Sequence, residues 1–242
     1  MSKGVTPYND TTRTKKEQVE EMFDNIAQRY DFLNHLLSLG IDITWRKKAV
    51  RSLASINPKT ILDVATGTGD FALECLSLKP EKVTGLDISE EMMKYGREKA
   101  AKLNVANTVE FIKGDSENMA FGDESFDAIT VGFGVRNFER LDAGLREMHR
   151  VLKKGGRVAI LEGSMPQNTI IRWFYSLYFV RVLPVLGRLF SKDIRAYSYL
   201  PESVKAFPQG PEFVRILEGV GFKNVVWQPL LMGICAFYSM EK

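Results

Sequence analysis

Short apolar runs alternate along the chain with stretches whose apolar residues recur every three or four positions. Runs of strand length, rich in β-branched residues, occupy 60–64, 82–87, 109–113, 128–133 and 157–162. Helical spacing marks 70–78, 90–103 and 141–152 between them. This alternation predicts an α/β domain with a parallel, doubly wound sheet, whose ligands bind at the carboxyl ends of the strands. Upstream, Val19, Met22, Phe23, Ile26, Ala27, Tyr30, Leu33 and Leu37 predict one amphipathic helix from Lys15 to a stop at Gly40. A second helix over 44–53 carries Trp45 beside Arg46, Lys47 and Lys48. Downstream, 211–220 reads as a helix closed by Gly221, and 225–230 with 234–238 as a terminal antiparallel hairpin at the sheet edge. Residues 1–14 are polar and read as a disordered tail. The remaining 15–242 form one domain, with 15–55 as a helical cap and 163–208 as an insertion on the substrate side.

The glycine-rich turn after the first strand carries the densest chemistry. Gly67, Gly69 and Ala72 fit G-x-G-x-x-G/A at a strand-to-helix junction, where backbone N–H groups point at a ligand, and Asp87 follows about 20 residues later. That pattern alone admits NAD. Asp63 and Asp70 lie where a pyrophosphate would need the helix N-terminus free of negative charge, so they favour a cationic, phosphate-free ligand: S-adenosylmethionine (SAM). Asp70 could also simply cap its helix. Asp87 is placed to accept bonds from both ribose hydroxyls, with Ser89 the better cap for the helix after it. Asp115 and Ser116, after the third strand, are placed at adenine height, with an Asx-turn as the competing reading. Arg136 and Asn137, beyond Gly132-Phe133-Gly134, look like substrate-facing groups. The aromatic and polar mixture from Ala27 to Asn34 suits either a cover for the sheet edge or a lid over the ligand.

Composition narrows the class. A net charge of +3 over 242 residues, with scattered basic side chains, gives nucleic-acid binding little support. Cys75 and Cys235 sit in apolar settings and read as buried thiols, and His35 and His149 show no metal-ligand spacing, so no metal is expected. No signal peptide is visible and a cytoplasmic protein is expected. Residues 169–190 are apolar and aromatic, but Arg172, Arg181, Arg188 and Pro184 interrupt them. Each central arginine costs roughly 3 kcal/mol in a bilayer, which excludes a membrane span and leaves a pocket cover, a membrane-surface face or ordinary core.

The residues then resemble one family, the menaquinone/ubiquinone biosynthesis C-methyltransferases. The resemblance rests on Met22-Phe23-Asp24, Tyr30-Asp31 with Asn34, Trp45-Arg46, the glycine turn, Phe133-Gly134-Val135-Arg136-Asn137, and Arg150 to Arg157 with Leu161-Glu162. It implies a Rossmann-like seven-stranded class I SAM-dependent methyltransferase fold with an N-terminal helical cap. It also implies that Thr68, Asp87, Asp115 and Ser116 contact SAM, beside Asp63, Gly67 and Gly69 of the turn. The chemistry it implies is methylation of a ring carbon on a prenylated quinol, demethylmenaquinol becoming menaquinol, with the benzoquinol of the ubiquinone pathway as the alternative. In that reading Arg136 stabilises the phenolate, Asn137 orients the hydroxyl, Tyr30 or Asp31 relays the proton, and the prenyl tail enters the 169–190 region. A homodimer and peripheral contact at the inner membrane face are compatible with it. Two positions depart from the family pattern: Gly132, where many relatives have serine, and Gly163, where an aromatic is usual. N- or O-methylation of another lipid or metabolite, a non-catalytic cofactor-binding module and an NAD-linked oxidoreductase remain as alternatives.

Overall fold

The computed structural model describes residues 5–38, 40–177 and 194–242. Its sheet has seven strands: β1 (Thr60–Val64), β2 (Lys82–Asp87), β3 (Val109–Lys113), β4 (Phe126–Gly132), β5 (Leu152–Gly163), β6 (Lys223–Leu230) and β7 (Cys235–Glu241). They lie in the order β3-β2-β1-β4-β5-β7-β6. The strands from β1 to β5 pair in parallel, and β7 runs antiparallel to both β5 and β6. The terminal hairpin therefore forms as expected, with β7 inside the sheet and β6 at its edge. Order reverses between β1 and β4, which opens a crevice at their carboxyl ends. β5 starts five residues before the expected 157, directly after its helix.

Helices cover both faces. Three of them, α3 (Ile41–Ser52), α4 (Asp70–Glu74) and α5 (Glu90–Lys102), bury Val50, Leu53, Phe71 and Met93 against one face of β1 and its neighbours. On the other face α6 (Leu141–Val151) and a helix at Pro211–Val220 bury Leu145, Met148, Phe213 and Leu217. Both cysteines are buried and free. The central strands β1, β2 and β4 are largely apolar and buried because both faces there are covered, whereas the edge strands β3 and β6 are partly exposed.

The N-terminal region differs from the single helix the periodicity suggests. The helix α1 (Lys15–Ile26) begins in a capping box between Thr14 and Glu17, tightens into a 3₁₀ turn at Ala27–Arg29, and resumes as α2 (Tyr30–Ser38). Tertiary anchors cause the break, because Asp31 is held by Thr68 Oγ1 at 2.5 Å and Lys99 Nζ at 2.5 Å, both outside the cap. Nor are residues 5–13 free of the fold. Gln18 is fully buried, accepts from Tyr8 N at 3.1 Å and donates to Asp10 O at 2.8 Å, which lays the expected disordered tail along α1.

The insertion is described as α7 (Thr169–Leu177) and α8 (Ile194–Ala206), and the Pro211–Val220 helix is α9. The rest of the apolar stretch expected to receive a tail, 178–190, lies outside the described residues. Ala196 and Tyr199 of α8 pack with Val19 and Met22 of α1 in a separate apolar cluster. Among the described residues no helix is long and apolar enough to cross a membrane.

Candidate active site

At the carboxyl ends of β1, β2 and β4, a cavity of about 650 Å³ opens beneath the cap. The glycine turn forms one wall with left-handed backbone at Gly67 (φ 55°) and Gly69 (φ 80°). At Gly69 a side chain is also sterically excluded: a Cβ there would lie 2.6 Å from Phe111 Cζ. Asp87 extends the same wall at the end of β2, its carboxylate accepting from Gly67 N at 2.7 Å and Ser89 N at 2.9 Å. Burial pushes its pKa up to about 6. Ser89 caps α5, as expected, accepting from Met92 N at 3.1 Å. Asp115 and Ser116 line the far end, where Asp115 pairs with Lys16 of the cap at 2.5 Å.

Gly67, Asp87, Asp115 and Ser116 thus line the cavity, whereas Asp63, Thr68 and Gly69 do not. Asp63 lies fully buried beneath the turn, accepts from Thr66 Oγ1 and Thr130 Oγ1 at 2.6 Å each, and is raised to about 6 by desolvation. It fixes the loop. Thr68 serves the cap through Asp31. The electrostatic reading of Asp70 is corrected as well, since it sits outside the cavity and bonds Lys99 at 2.6 Å and Arg46 at 3.4 Å. The carboxylates that do face the cavity are Asp87, Asp115, Glu117 and Glu139. Acceptors so placed suit a nucleoside with free hydroxyls and oppose a phosphate.

A second cavity of about 1210 Å³ adjoins the first and is walled mainly by Met22, Ile26, Trp45, Tyr175, Leu200 and Val204. Both cavities touch Phe23, Tyr30 and Phe133, which form the partition between them. Phe133 takes a left-handed backbone (φ 59°), uncommon for a bulky residue, and its N–H is held by Leu161 O at 2.7 Å. Arg136 lines the apolar cavity with its side chain 9% exposed. Its Nη1 pairs with Glu162 Oε1 at 2.6 Å and also donates to Phe133 O, its backbone N–H reaches Glu162 Oε2 at 3.2 Å, and its buried Nε has no partner among the described residues. Asn137 lines the first cavity and accepts from Tyr199 Oη at 3.1 Å.

Arg136, Asn137 and Tyr30 therefore converge on the partition, and Asp31 does not. Its carboxylate is committed to Thr68 and Lys99, which corrects its assignment as a proton relay. Burial raises the Tyr30 phenol above its ordinary value, which makes it a donor in preference to a base. Sequence reasoning missed Glu162's pairing, Tyr199 and Lys16, none of which carries a local signal. The two departures from the family pattern have steric grounds here: a Cβ at Gly132 would lie 2.9 Å from Phe71 Cδ1, and one at Gly163 would lie 3.0 Å from Val204 Cγ2.

Known proteins resemble the chain over nearly its whole length. The sequence model of the ubiE/COQ5 methyltransferase family matches residues 11–242. A demethylmenaquinone methyltransferase from Bacteroides fragilis is 51% identical, over 98% of this chain and 97% of its own. The ubiquinone/menaquinone biosynthesis C-methyltransferase UbiE of Geotalea daltonii is 48% identical, over 94% and 97%. Among solved structures, a SAM-dependent methyltransferase from Aquifex aeolicus superposes with a TM-score of 0.55 at 22% identity, covering 76% of this chain and 82% of that one.

Proposed function

The chain belongs to the ubiE/COQ5 methyltransferase family, and on that footing we propose that it methylates a ring carbon of demethylmenaquinol to give menaquinol, with SAM as methyl donor. The observation that carries this reading is the contact of a carboxylate-lined cavity with a larger apolar one across a single partition. SAM supplies an electrophilic sulfonium methyl when bound in the first cavity. Asp87 would accept the ribose hydroxyls, and Asp115 and Ser116 would bind the adenine end, with Gly67 keeping the approach clear.

The prenylated ring belongs in the apolar cavity, where Arg136 presents a guanidinium whose Nε is an unused donor among the described residues. With tyrosine's pKa of about 10 as a proxy, ionising a ring hydroxyl near pH 7 requires roughly 4 kcal/mol. A buried cation offsets much of that, and Glu162 keeps the cation tolerable in the absence of substrate. Asn137 orients the hydroxyl from the cofactor side, and Tyr30 donates a hydrogen bond at the partition. Fixed alignment of the two reactants contributes several kcal/mol more.

A membrane contact completes the proposal. Ile170, Trp173 and Leu177 of α7 are exposed at helical spacing, while Tyr175 of the same helix lines the apolar cavity. That face would rest on the inner membrane surface, where a long-tailed quinol resides.

Purified enzyme with labelled SAM should methylate reduced demethylmenaquinone and leave phosphatidylethanolamine unlabelled, as read by mass spectrometry of extracted lipids. Labelling of the phospholipid alone would overturn the assignment. Turnover of a demethylated benzoquinol but not of the naphthoquinol would move it to the ubiquinone branch.

A further inference from the structure

We propose that Tyr199 is a positioning residue for methyl transfer: its phenolic hydroxyl sets the Asn137 amide so that Nδ2 faces the reacting cavity. This rests on the role given to Asn137 above. Nothing in the chain near position 199 announces such a role, and the contact joins residues 62 apart in sequence. Asn137 ends the 3₁₀ turn Val135–Asn137, one residue after Arg136, and Tyr199 comes from α8 on the substrate side.

An asparagine side chain has two ends of nearly equal shape and opposite hydrogen-bonding character, so its neighbours decide which end a ligand meets. Here Tyr199, 2% exposed, donates to Oδ1 at 3.1 Å in a buried contact. The direction of donation follows from the atom types, since an amide Oδ1 only accepts and the phenol O–H is the donor. Burial also holds that proton, with the phenol pushed up to about 12. Among the described residues Nδ2 makes no hydrogen bond, so it remains as a donor for a ring oxygen.

The position of Tyr199 adds a consequence. It packs with Val19 and Met22 of α1, so the amide is set only while α8 and the cap are together. Turnover thereby depends on the substrate side of the molecule being closed.

The test is a double-mutant cycle in the full-length enzyme. Tyr199→Phe should lower kcat about 10-fold, the worth of one buried hydrogen bond, leave SAM affinity by calorimetry near wild type and lower the thermal midpoint by only a few degrees. Asn137→Ala should lower kcat further, and the double variant should be no worse than Asn137→Ala alone. Wild-type kcat for Tyr199→Phe beside an impaired Asn137→Ala would overturn the proposal and spare the reading it rests on. An unimpaired Asn137→Ala would overturn that reading itself. Additive losses would mean Tyr199 acts on substrate directly, which also overturns it. Asn137→Asp keeps the acceptor for Tyr199 and removes the Nδ2 donor, so it should be folded and slow; full turnover would refute the assigned amide orientation.

Discussion

Glu162→Gln is the sharpest perturbation of the site, because it removes a charge and little else. The side chains of Glu162 and Arg136 are 1% and 9% exposed, with Nη1 and Oε1 2.6 Å apart. Two unit charges about 4 Å apart at an effective dielectric near 20 attract by about 4 kcal/mol. Breaking a buried pair from one side costs about 3–5 kcal/mol, since the surviving charge stays desolvated. Glutamine still offers Oε1 to Arg136 Nη1 and to Gly163 N, which Glu162 holds at 2.8 Å, but its Nε2 replaces the Oε2 that accepts from Arg136 N at 3.2 Å, so a loss of about 3 kcal/mol is expected. In a chain of this size that corresponds to a midpoint roughly 6–12 °C lower. Urea denaturation with an unchanged m-value is the assay. Replacing both partners, as in Arg136→Met with Glu162→Met, should recover most of the stability and none of the activity, because the cost lies in the unpaired charge. A Glu162→Gln protein within about 0.5 kcal/mol of wild type, or a double variant no more stable than the single one, would refute the reasoning.

The remaining predictions concern the cofactor wall and the cap. Asp87 has a folded pKa of about 6 against 3.8 ordinarily, so the folded chain holds a proton that the unfolded chain releases in that window. Its contribution to stability is full below the lower value and lost as pH rises through about 6. Only the ionised form accepts two ribose hydroxyls, so SAM affinity measured by calorimetry should fall about 10-fold per pH unit below 6, and Asp87→Asn should bind weakly with a flat profile there. Gly69→Ala should cost about 2–4 kcal/mol, from left-handed strain plus the Phe111 clash, with a midpoint equal to wild type counting against it. Lys99→Met leaves Asp31 and Asp70 without their shared cation. The three side chains are 26–31% exposed, so the loss should be only about 1 kcal/mol; hydrogen exchange over 27–38 should quicken, more at low salt than at high.

Strands β1 to β4 were legible because a sheet covered on both faces demands uninterrupted apolar runs, a property of the local chain. The same holds for Gly67 and Gly69, whose spacing reflects a backbone path that side chains obstruct. What the chain conceals is pairing at a distance. Asp70 reads as a free carboxylate at a helix start, and only folding brings Lys99 to it, 29 residues on. The resemblance offers Tyr30 or Asp31 as the relay without choosing between neighbours, yet Tyr30 lines the cavities and Asp31 is held by Lys99 of α5. The break at Ala27–Arg29 escaped for a related reason: apolar spacing is nearly continuous across it, and the bonds that bend the chain end on Thr68 and Lys99. Tyr199 lies within the insertion, on α8, where no motif reaches.

The partition between the cavities belongs to two different parts of the molecule. Phe133 comes from the loop after β4, whereas Phe23 and Tyr30 come from the cap. Raising the cap would therefore take away the roof and two of the three partition side chains, leaving Phe133 standing between two open halves. Spent nucleoside and methylated lipid could then depart in either order, and a reactive methyl would face bulk water only at a moment when no acceptor is enclosed beside it.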